Sequence, residues 1–290
     1  MLRLIERPEA RALLRVPPAT RAVVSWNSDA PAGELALIVH HTDGSVSKPL
    51  PYARWSAGAR RSLDGADARA RIAVDTLESG VPFSALGVTS TVPLDALAVT
   101  VPSAADEHGA ARARADELDV PPLSQYLADH PGRRGWCSAT ALAMLLRYHG
   151  RPAEIAEVAG GVHDDAYGGT GNWSFNAAYA GARGLRGLVA YLDGIDRVAA
   201  FVAAGLPVAI SIGWSPGELP GAPLEHSEGH FVVVRGVERD AVAVNDPAHP
   251  AVATRYPRAE LDHVFRAHGG ITYLIAPRER SGELVALANA

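Results

Sequence analysis

The hydrophobic pattern of the chain changes near residue 104, and this change limits the possible folds more than any other feature. Before it, runs of five or six residues alternate apolar and polar positions, with turn-forming residues such as Pro31 and Gly44 between the runs. Runs of this kind are typical of short antiparallel strands. The sequence therefore predicts an all-β sandwich or jelly roll over residues 1–103. The predicted strands include residues 21–26, 35–40, 70–75 and 97–101.

A different pattern begins after a polar, alanine-rich stretch at residues 104–117, which is typical of a linker or an exposed helix. Over residues 118–277, apolar positions recur first at helical spacing and later in strand-like runs, which favours an α+β domain. We expect residues 278–290 to form a C-terminal tail. The predicted helices cover residues 138–149, 173–182 and 195–204, the last with Asp193 as its N-cap, and the predicted strands cover residues 207–212, 231–237, 241–244 and 271–275.

Composition excludes several classes of protein. The 290 residues are 48% hydrophobic and 20% charged, which is the profile of a globular protein. The formal net charge is -5 and like charges form no long run, which argues against nucleic acid as a partner. No stretch approaches the roughly 18 apolar residues that span a bilayer, and the first residues lack the apolar core of a signal peptide. We therefore expect no membrane partner and a cytoplasmic location, or a secreted protein if a leader has been removed.

Cys137 is the only cysteine, so an intramolecular disulfide and a site built from several cysteines are both excluded. It stands directly before the predicted helix at residues 138–149, where unpaired backbone N–H groups and the helix dipole favour an anion. A thiolate is such an anion and a strong nucleophile. The alternative is that Cys137 is a small buried apolar residue, which free cysteines often are.

His230 and Asp246 flank a predicted hairpin and favour the nucleophile interpretation. If the hairpin is centred near Glu238, the two residues lie opposite one another and project from the same face of the sheet. The carboxylate would then fix the tautomer of the imidazole and stabilise its protonated form. Taken separately, each residue has a simpler explanation, namely a strand-end histidine and a turn-forming Asp-Pro pair.

Four blocks of sequence together resemble the papain-like cysteine peptidases of the bacteriocin-leader-processing type, over roughly residues 118–277. The family's usual Asp-Cys-Gly-Pro is Trp136-Cys137-Ser138-Ala139 in this chain, which departs from the pattern on both sides of the thiol. The resemblance implies a papain-like fold with Cys137 as nucleophile, His230 as general base and acid, Asp246 as the group that orients the histidine, and Gln125 as oxyanion donor. From the residues alone, Gln125 would be an ordinary surface glutamine. The four blocks are Gln125, residues 135–144, residues 229–236 and residues 242–247.

Other motifs carry weaker signals. The segment Gly168-Gly169-Thr170-Gly171 lacks the strand and the lysine of a phosphate-binding loop, so we interpret it as a turn that leads into a helix and borders a cleft. His226 and His230 are four residues apart, but they lie in a loop pattern without the His-Glu-x-x-His order, and we predict no metal and no cofactor. Three tryptophans flank the proposed site and are expected in the core or along the substrate cleft: Trp136, Trp173 and Trp214.

The sequence thus favours a cysteine peptidase or amidase that acts on a peptide or protein substrate, with residues 1–103 as a binding or positioning module. Two alternatives remain open. A transglutaminase-like acyl transferase would use the same order of Cys, His and Asp but deliver the acyl group to an amine. A non-catalytic protein that binds peptides or glycans would retain the scaffold without an activated thiol. The sequence does not indicate the oligomeric state.

Overall fold

The computed structural model describes residues 1–102, 113–127 and 129–290. The first hundred residues form one antiparallel sheet of eight strands, in the order β1-β8-β2-β7-β3-β4-β5, with β6 paired to β7. The strands are β1 (Leu2–Glu6), β2 (Arg11–Asn27), β3 (Gly33–His41), β4 (Leu50–Trp55), β5 (Arg60–Ser62), β6 (Ala70–Ala73), β7 (Thr76–Ser90) and β8 (Ala96–Thr100).

All eight strands belong to one hydrogen-bonded sheet, seven of them along a single path and β6 beside β7, where we expected a sandwich or jelly roll. Strands β2 and β7 are 17 and 15 residues long, and their pairing is interrupted by irregularities between Arg15 and Arg21. Irregularities of this kind bend and twist a strand, so long strands can curve around a single core. Most of the buried apolar side chains of this sheet form one cluster that includes Trp26, Tyr52 and Phe83.

Within the described residues, the second half of the chain contains six α-helices and a second antiparallel sheet, in the order β13-β12-β11-β10-β14-β9. None of the helices in the described residues is long and apolar enough to cross a membrane. The elements are α1 (Cys137–Tyr148), α2 (Ile155–Val162), α3 (Trp173–Ala182), β9 (Leu185–Tyr191), α4 (Ile195–Ala203), β10 (Val208–Trp214), β11 (Ser227–Val237), β12 (Ala241–Asn245), β13 (Ala253–Pro257), α5 (Arg258–Ala267), β14 (Ile271–Pro277) and α6 (Ser281–Asn289).

Helices cover both faces of the second sheet. Along β11, Phe231 and Val233 pack into the apolar cluster that contains α1, α2 and α3, while Val232 and Val234 pack into the cluster that contains α4, α5 and α6. Because successive side chains of a strand point to opposite faces, a strand buried on both sides must be apolar throughout. This explains the continuous apolar run from residue 231 to residue 234.

Polar side chains of the first sheet cover the free edge of the second sheet at β9. Alternate residues of β9 donate their backbone N–H groups to the first sheet. The Gly187 N–H donates to Asn27 Oδ1 (3.2 Å), and the Val189 N–H donates to Ser25 Oγ (3.2 Å). The Tyr191 N–H donates to a threonine hydroxyl (3.0 Å). An uncovered strand edge would leave these groups unpaired or open to another chain. The two sheets are therefore held together by specific hydrogen bonds as well as by apolar packing.

Several predicted boundaries need correction. Of the predicted linker, residues 104–112 lie outside the described residues, and residues 113–117 are extended and bridge to Val237 through Ala115. Residues 278–290 are not a tail, because α6 buries Leu284 and its last residue Asn289 is hydrogen-bonded to the backbone of Leu2. Asp193 does not cap α4. The N-cap is Gly194, and the Ile195 N–H donates to Asp262 Oδ1 at 2.6 Å.

Candidate active site

Cys137 is the first residue of α1 and lies at the positive end of that helix. Trp136 occupies the N-cap position and makes no side-chain hydrogen bond to the helix, so no side chain competes there for the first N–H groups. The thiol is partly exposed, and the backbone N–H groups of Phe231 and Ser138 lower the pKa of the thiol. These contacts favour a negative charge on sulfur.

His230 and Asp246 form a buried pair beside this thiol. His230 Nε2 lies 2.7 Å from Asp246 Oδ1, and the two residues are 3% and 0% exposed. Because Nε2 faces the carboxylate, the hydrogen bond between the ring and Cys137 uses Nδ1. The carboxylate also accepts hydrogen bonds from the Tyr256 hydroxyl at 2.6 Å and from the Ala248 N–H at 2.8 Å. These partners fix the carboxylate, which in turn orients the ring.

The strand register that brings this pair together differs from the one that the sequence predicts. Val233 pairs with Asn245, and an irregularity beyond Val234 shifts the register, so that Gly236 pairs with Ala243. The hairpin is therefore not centred at Glu238, and His230 is not directly opposite Asp246. Diagonal neighbours on one face of a sheet still lie within reach of each other's long side chains. This explains why His230 contacts Asp246 although the predicted register is wrong.

Mutual interaction shifts the pKa of all three groups. Burial raises the pKa of the Cys137 thiol, but the hydrogen bond and charge of His230 outweigh it and lower that pKa below its ordinary value. Burial lowers the pKa of His230, and the charge and hydrogen bond of Asp246 more than reverse this, so its pKa is raised. The pKa of Asp246 is lowered, because the imidazolium and the Tyr256 hydroxyl overcome the effect of burial. The site thus favours a thiolate and an imidazolium over two neutral groups.

A buried polar network fixes the helix turn that carries the thiol. The Ser138 hydroxyl donates to Asn176 Oδ1 at 3.2 Å and lies 2.8 Å from the Tyr273 hydroxyl. The Asn176 amide donates in turn to the carbonyls of Thr170 and Asn172, both at 2.8 Å. The start of α1 is therefore tied to the start of α3 and to the glycine-rich segment before it.

Gln125 lies beside the thiol segment, but its amide already has acceptors. Nε2 donates to the carbonyls of Arg133 and Arg134 at 3.0 and 2.9 Å, which uses both of its hydrogens. The Gln125 N–H donates to the Pro247 carbonyl at 3.0 Å, next to Asp246. Donation to an oxyanion would require one of the side-chain bonds to be exchanged, so the role of Gln125 as oxyanion donor stays a prediction.

The three tryptophans occupy different places. Trp173 lines the cleft in front of Cys137. Trp136 and Trp214 are buried in the core, which is the first of the two expected alternatives, and they do not line the cleft. Trp136 stacks on the His130 ring with centroids 4.6 Å apart, while Trp214 packs edge-on against His230 with centroids 5.7 Å apart. Trp214 therefore supports a residue of the site, His230, whereas Trp136 contacts a ring outside it.

The cleft has a volume of about 720 Å³, which is large enough for several residues of a peptide. Its walls come from separate parts of the chain, including the glycine-rich turn at residues 168–171 that the sequence predicts. Tyr167, Glu228 and His268 also line it, as does the turn between β6 and β7 of the first sheet.

Within the described residues, no group of three or more His, Cys, Asp and Glu side chains could hold a metal ion.

Two residues of the site region are absent from the sequence-based prediction. Tyr256 lies in β13, and its hydroxyl donates to Asp246 Oδ2 at 2.6 Å. Asp75 lines the cleft from the first sheet, and its Oδ2 accepts a hydrogen bond of 2.5 Å from the Trp173 N–H. Neither residue belongs to a local motif, so only the tertiary arrangement reveals them.

Comparison with known proteins gives one family match. A sequence model of the Peptidase_C39 like family matches residues 117–273, which is more than half of the chain. No curated protein matches the sequence at a significant level.

Among solved structures, similar ones include a C39-like peptidase from Bacillus anthracis, at 18% identity and a TM-score of 0.45, covering 57% of this chain and 98% of that chain. A double glycine motif protease from an AMS/PCAT transporter, solved with a leader peptide, is 21% identical with a TM-score of 0.40 and covers 57% and 98%. The peptidase domain of Streptococcus ComA is 16% identical with a TM-score of 0.37 and covers 58% and 100%.

Proposed function

The chain belongs to the Peptidase_C39 like family, and on that premise we propose that it is a cysteine peptidase or amidase with Cys137 as its nucleophile. The proposal includes a papain-like arrangement of residues 118–277, preceded by an all-β unit at residues 1–103. The observation that carries it is the contact of the thiol with the buried His230–Asp246 pair at the floor of an open cleft.

In the proposed reaction, the Cys137 thiolate attacks the carbonyl carbon of the scissile amide and forms a C–S bond. The carbonyl oxygen becomes an oxyanion, which the backbone N–H of Cys137 stabilises at the helix N-terminus, with Gln125 as a second donor. Protonated His230 gives its Nδ1 proton to the leaving nitrogen as the C–N bond breaks. This leaves an acyl-enzyme and a neutral imidazole.

Hydrolysis of the acyl-enzyme follows the same path in reverse with water in place of the amine. Neutral His230 accepts a proton from water as the water oxygen attacks the acyl carbon, and the C–S bond then breaks to release the acid and restore the thiolate–imidazolium pair. Asp246 stays ionised throughout and keeps the ring oriented toward sulfur. The reaction requires no cofactor.

Cleavage of a diverse peptide library, followed by mass spectrometry, tests this proposal. We expect the wild type to produce new peptide termini and Cys137→Ala to lose this activity while its melting temperature stays close to that of the wild type. Full activity in the alanine variant would contradict the proposed role of the thiol. Amide products after addition of an amine acceptor would indicate the acyl transferase instead.

Alkylation of Cys137 by iodoacetamide across pH provides an independent test that needs no substrate. An activated thiol reacts at neutral pH, whereas an ordinary cysteine reacts mainly above its pKa of about 8.5. An ordinary alkylation profile together with no turnover would favour a protein that binds peptides or glycans without cleaving them.

A further inference from the structure

The turn between β6 and β7, residues 73–76, forms part of the wall of the cleft that contains Cys137. This turn belongs to the first sheet, outside the region that the family model matches. Val74 lies at its tip and is only partly buried, whereas Asp75 behind it is buried. The first sheet thus contributes a side chain directly to the surface that a substrate would contact.

The backbone of Val74 adopts a conformation that its side chain disfavours. Its φ angle is 61°, in the left-handed region where β-branched residues are genuine outliers. Ala73 pairs with Thr76, so Val74 is the first of two residues in a tight hairpin turn, a position where glycine is preferred. The turn alone therefore does not explain a valine at this position, and strained residues of this kind cluster at functional sites.

Hydrogen bonds fasten the turn to the start of α3. Asp75 Oδ2 accepts a bond from the Trp173 N–H at 2.5 Å. The Tyr52 hydroxyl, which donates to the Asp75 carbonyl at 2.6 Å, also lies 2.9 Å from the Ser174 hydroxyl. Because the side chain and the carbonyl of Asp75 are both held, the turn is fixed at the residue that follows Val74.

We propose that Val74 and Trp173 together form a subsite that takes an apolar side chain of the substrate. Both residues are partly buried, both line the same cleft, and the Trp173 N–H is bonded to Asp75, the residue next to Val74. Partly exposed apolar groups in a cleft gain free energy when a ligand covers them. This inference rests on the proposed peptidase function and assigns a specificity role to the first sheet.

The substitution Val74→Gly separates a role in specificity from a role in folding. Glycine accepts the left-handed backbone without strain, so we expect the melting temperature to stay the same or rise. The same change removes the side chain, so the kcat/KM preference for leucine over alanine should fall about tenfold at the substrate position where the wild type most prefers apolar residues. Val74→Phe should shift that preference toward smaller residues.

Arg7→Gly is the matched control. Arg7 also has a positive φ, 45°, but is exposed at the end of β1 and does not line the cleft. Arg7→Gly should change the melting temperature in the same direction as Val74→Gly. It should leave the cleavage profile and the rate at which iodoacetamide alkylates Cys137 unchanged. An unaltered profile in both Val74 variants would overturn the subsite, as would a wild type that cleaves peptides without any apolar preference. Failure of the wild type to cleave any peptide is a different result, which overturns the proposed function itself.

Discussion

Replacing Asp246 with asparagine tests whether charge, rather than hydrogen bonding alone, activates the thiol. The contact of 2.7 Å between Asp246 Oδ1 and His230 Nε2 places the two charge centres about 4 Å apart, where unit charges interact by about 4 kcal/mol at an effective dielectric constant of about 20. This interaction is the main one that outweighs burial, and the pKa of His230 is raised to about 10. Asparagine retains an oxygen that can accept from the Ala248 N–H, so the local structure should persist.

Burial determines the direction in which the pKa of His230 changes when the carboxylate charge is removed. Without the carboxylate charge, burial dominates and lowers the pKa of His230, so the ring is neutral at neutral pH. Cys137 then loses the positive partner that lowers its pKa, and its thiolate forms only at higher pH. We expect the alkylation profile with iodoacetamide to move upward by at least about one pH unit, which slows the reaction at neutral pH about tenfold or more.

Asp119→Asn is a suitable control, because Asp119 is exposed and its substitution changes the net charge by the same amount. That variant should alkylate like the wild type. If Asp246→Asn gives a profile that superimposes on that of the wild type, the charge of Asp246 does not set the thiol pKa and the electrostatic argument is refuted.

Three further predictions concern residues that only the structure identifies. Burial raises the pKa of Asp75 to about 7, so the folded protein holds a proton that the unfolded chain has released, and stability falls as pH rises from about 4 to about 7. This loss amounts to about 2 to 4 kcal/mol of unfolding free energy. Asparagine does not titrate, so Asp75→Asn should remove most of the loss, which urea titrations at several pH values would measure. Tyr256→Phe removes a charge-assisted hydrogen bond to Asp246 worth about 1.5–3 kcal/mol, and should lower kcat/KM about tenfold; unchanged kinetics would show that the bond is dispensable. Tyr52→Phe breaks the contact with Ser174 and should reduce the unfolding free energy by about 1–3 kcal/mol, whereas an unshifted urea midpoint would contradict this.

Local signals in the sequence predict the helices at the site well. The predicted helix at residues 138–149 is observed at Cys137–Tyr148, and the one at residues 173–182 is observed with the same bounds. Both have clear ends, since Gly150 follows the first with a φ of 71° and Asn172 caps the second by accepting from the Phe175 N–H. A helix end depends on nearby residues, so the sequence is sufficient there.

Other elements depend on contacts that are distant in sequence. Strand β9 is buried along its whole length and shows no alternation, so its assignment rests on pairing with β14. Helix α5 does carry helical spacing at Leu261, Val264 and Phe265, but the polar residues between them obscure it. The structure places His230 in contact with Asp246 although the predicted register is wrong, because the two residues are diagonal neighbours within reach of each other.

The start of α3 explains why the first sheet matters for the site. Three of its first four residues contact the first sheet: the Trp173 N–H binds Asp75, the Ser174 hydroxyl donates to the Val24 carbonyl at 2.8 Å, and Phe175 packs into the apolar cluster of that sheet. The fourth residue, Asn176, accepts a hydrogen bond from Ser138 beside the thiol. A displacement of the first sheet would therefore shift the same helix turn that holds Ser138. Because α3 is rigid over this short span, the position of the nucleophile relative to the cleft wall depends on residues from both sheets. For this reason the first sheet is better described as a part of the cleft than as a separate module that only delivers substrate to it.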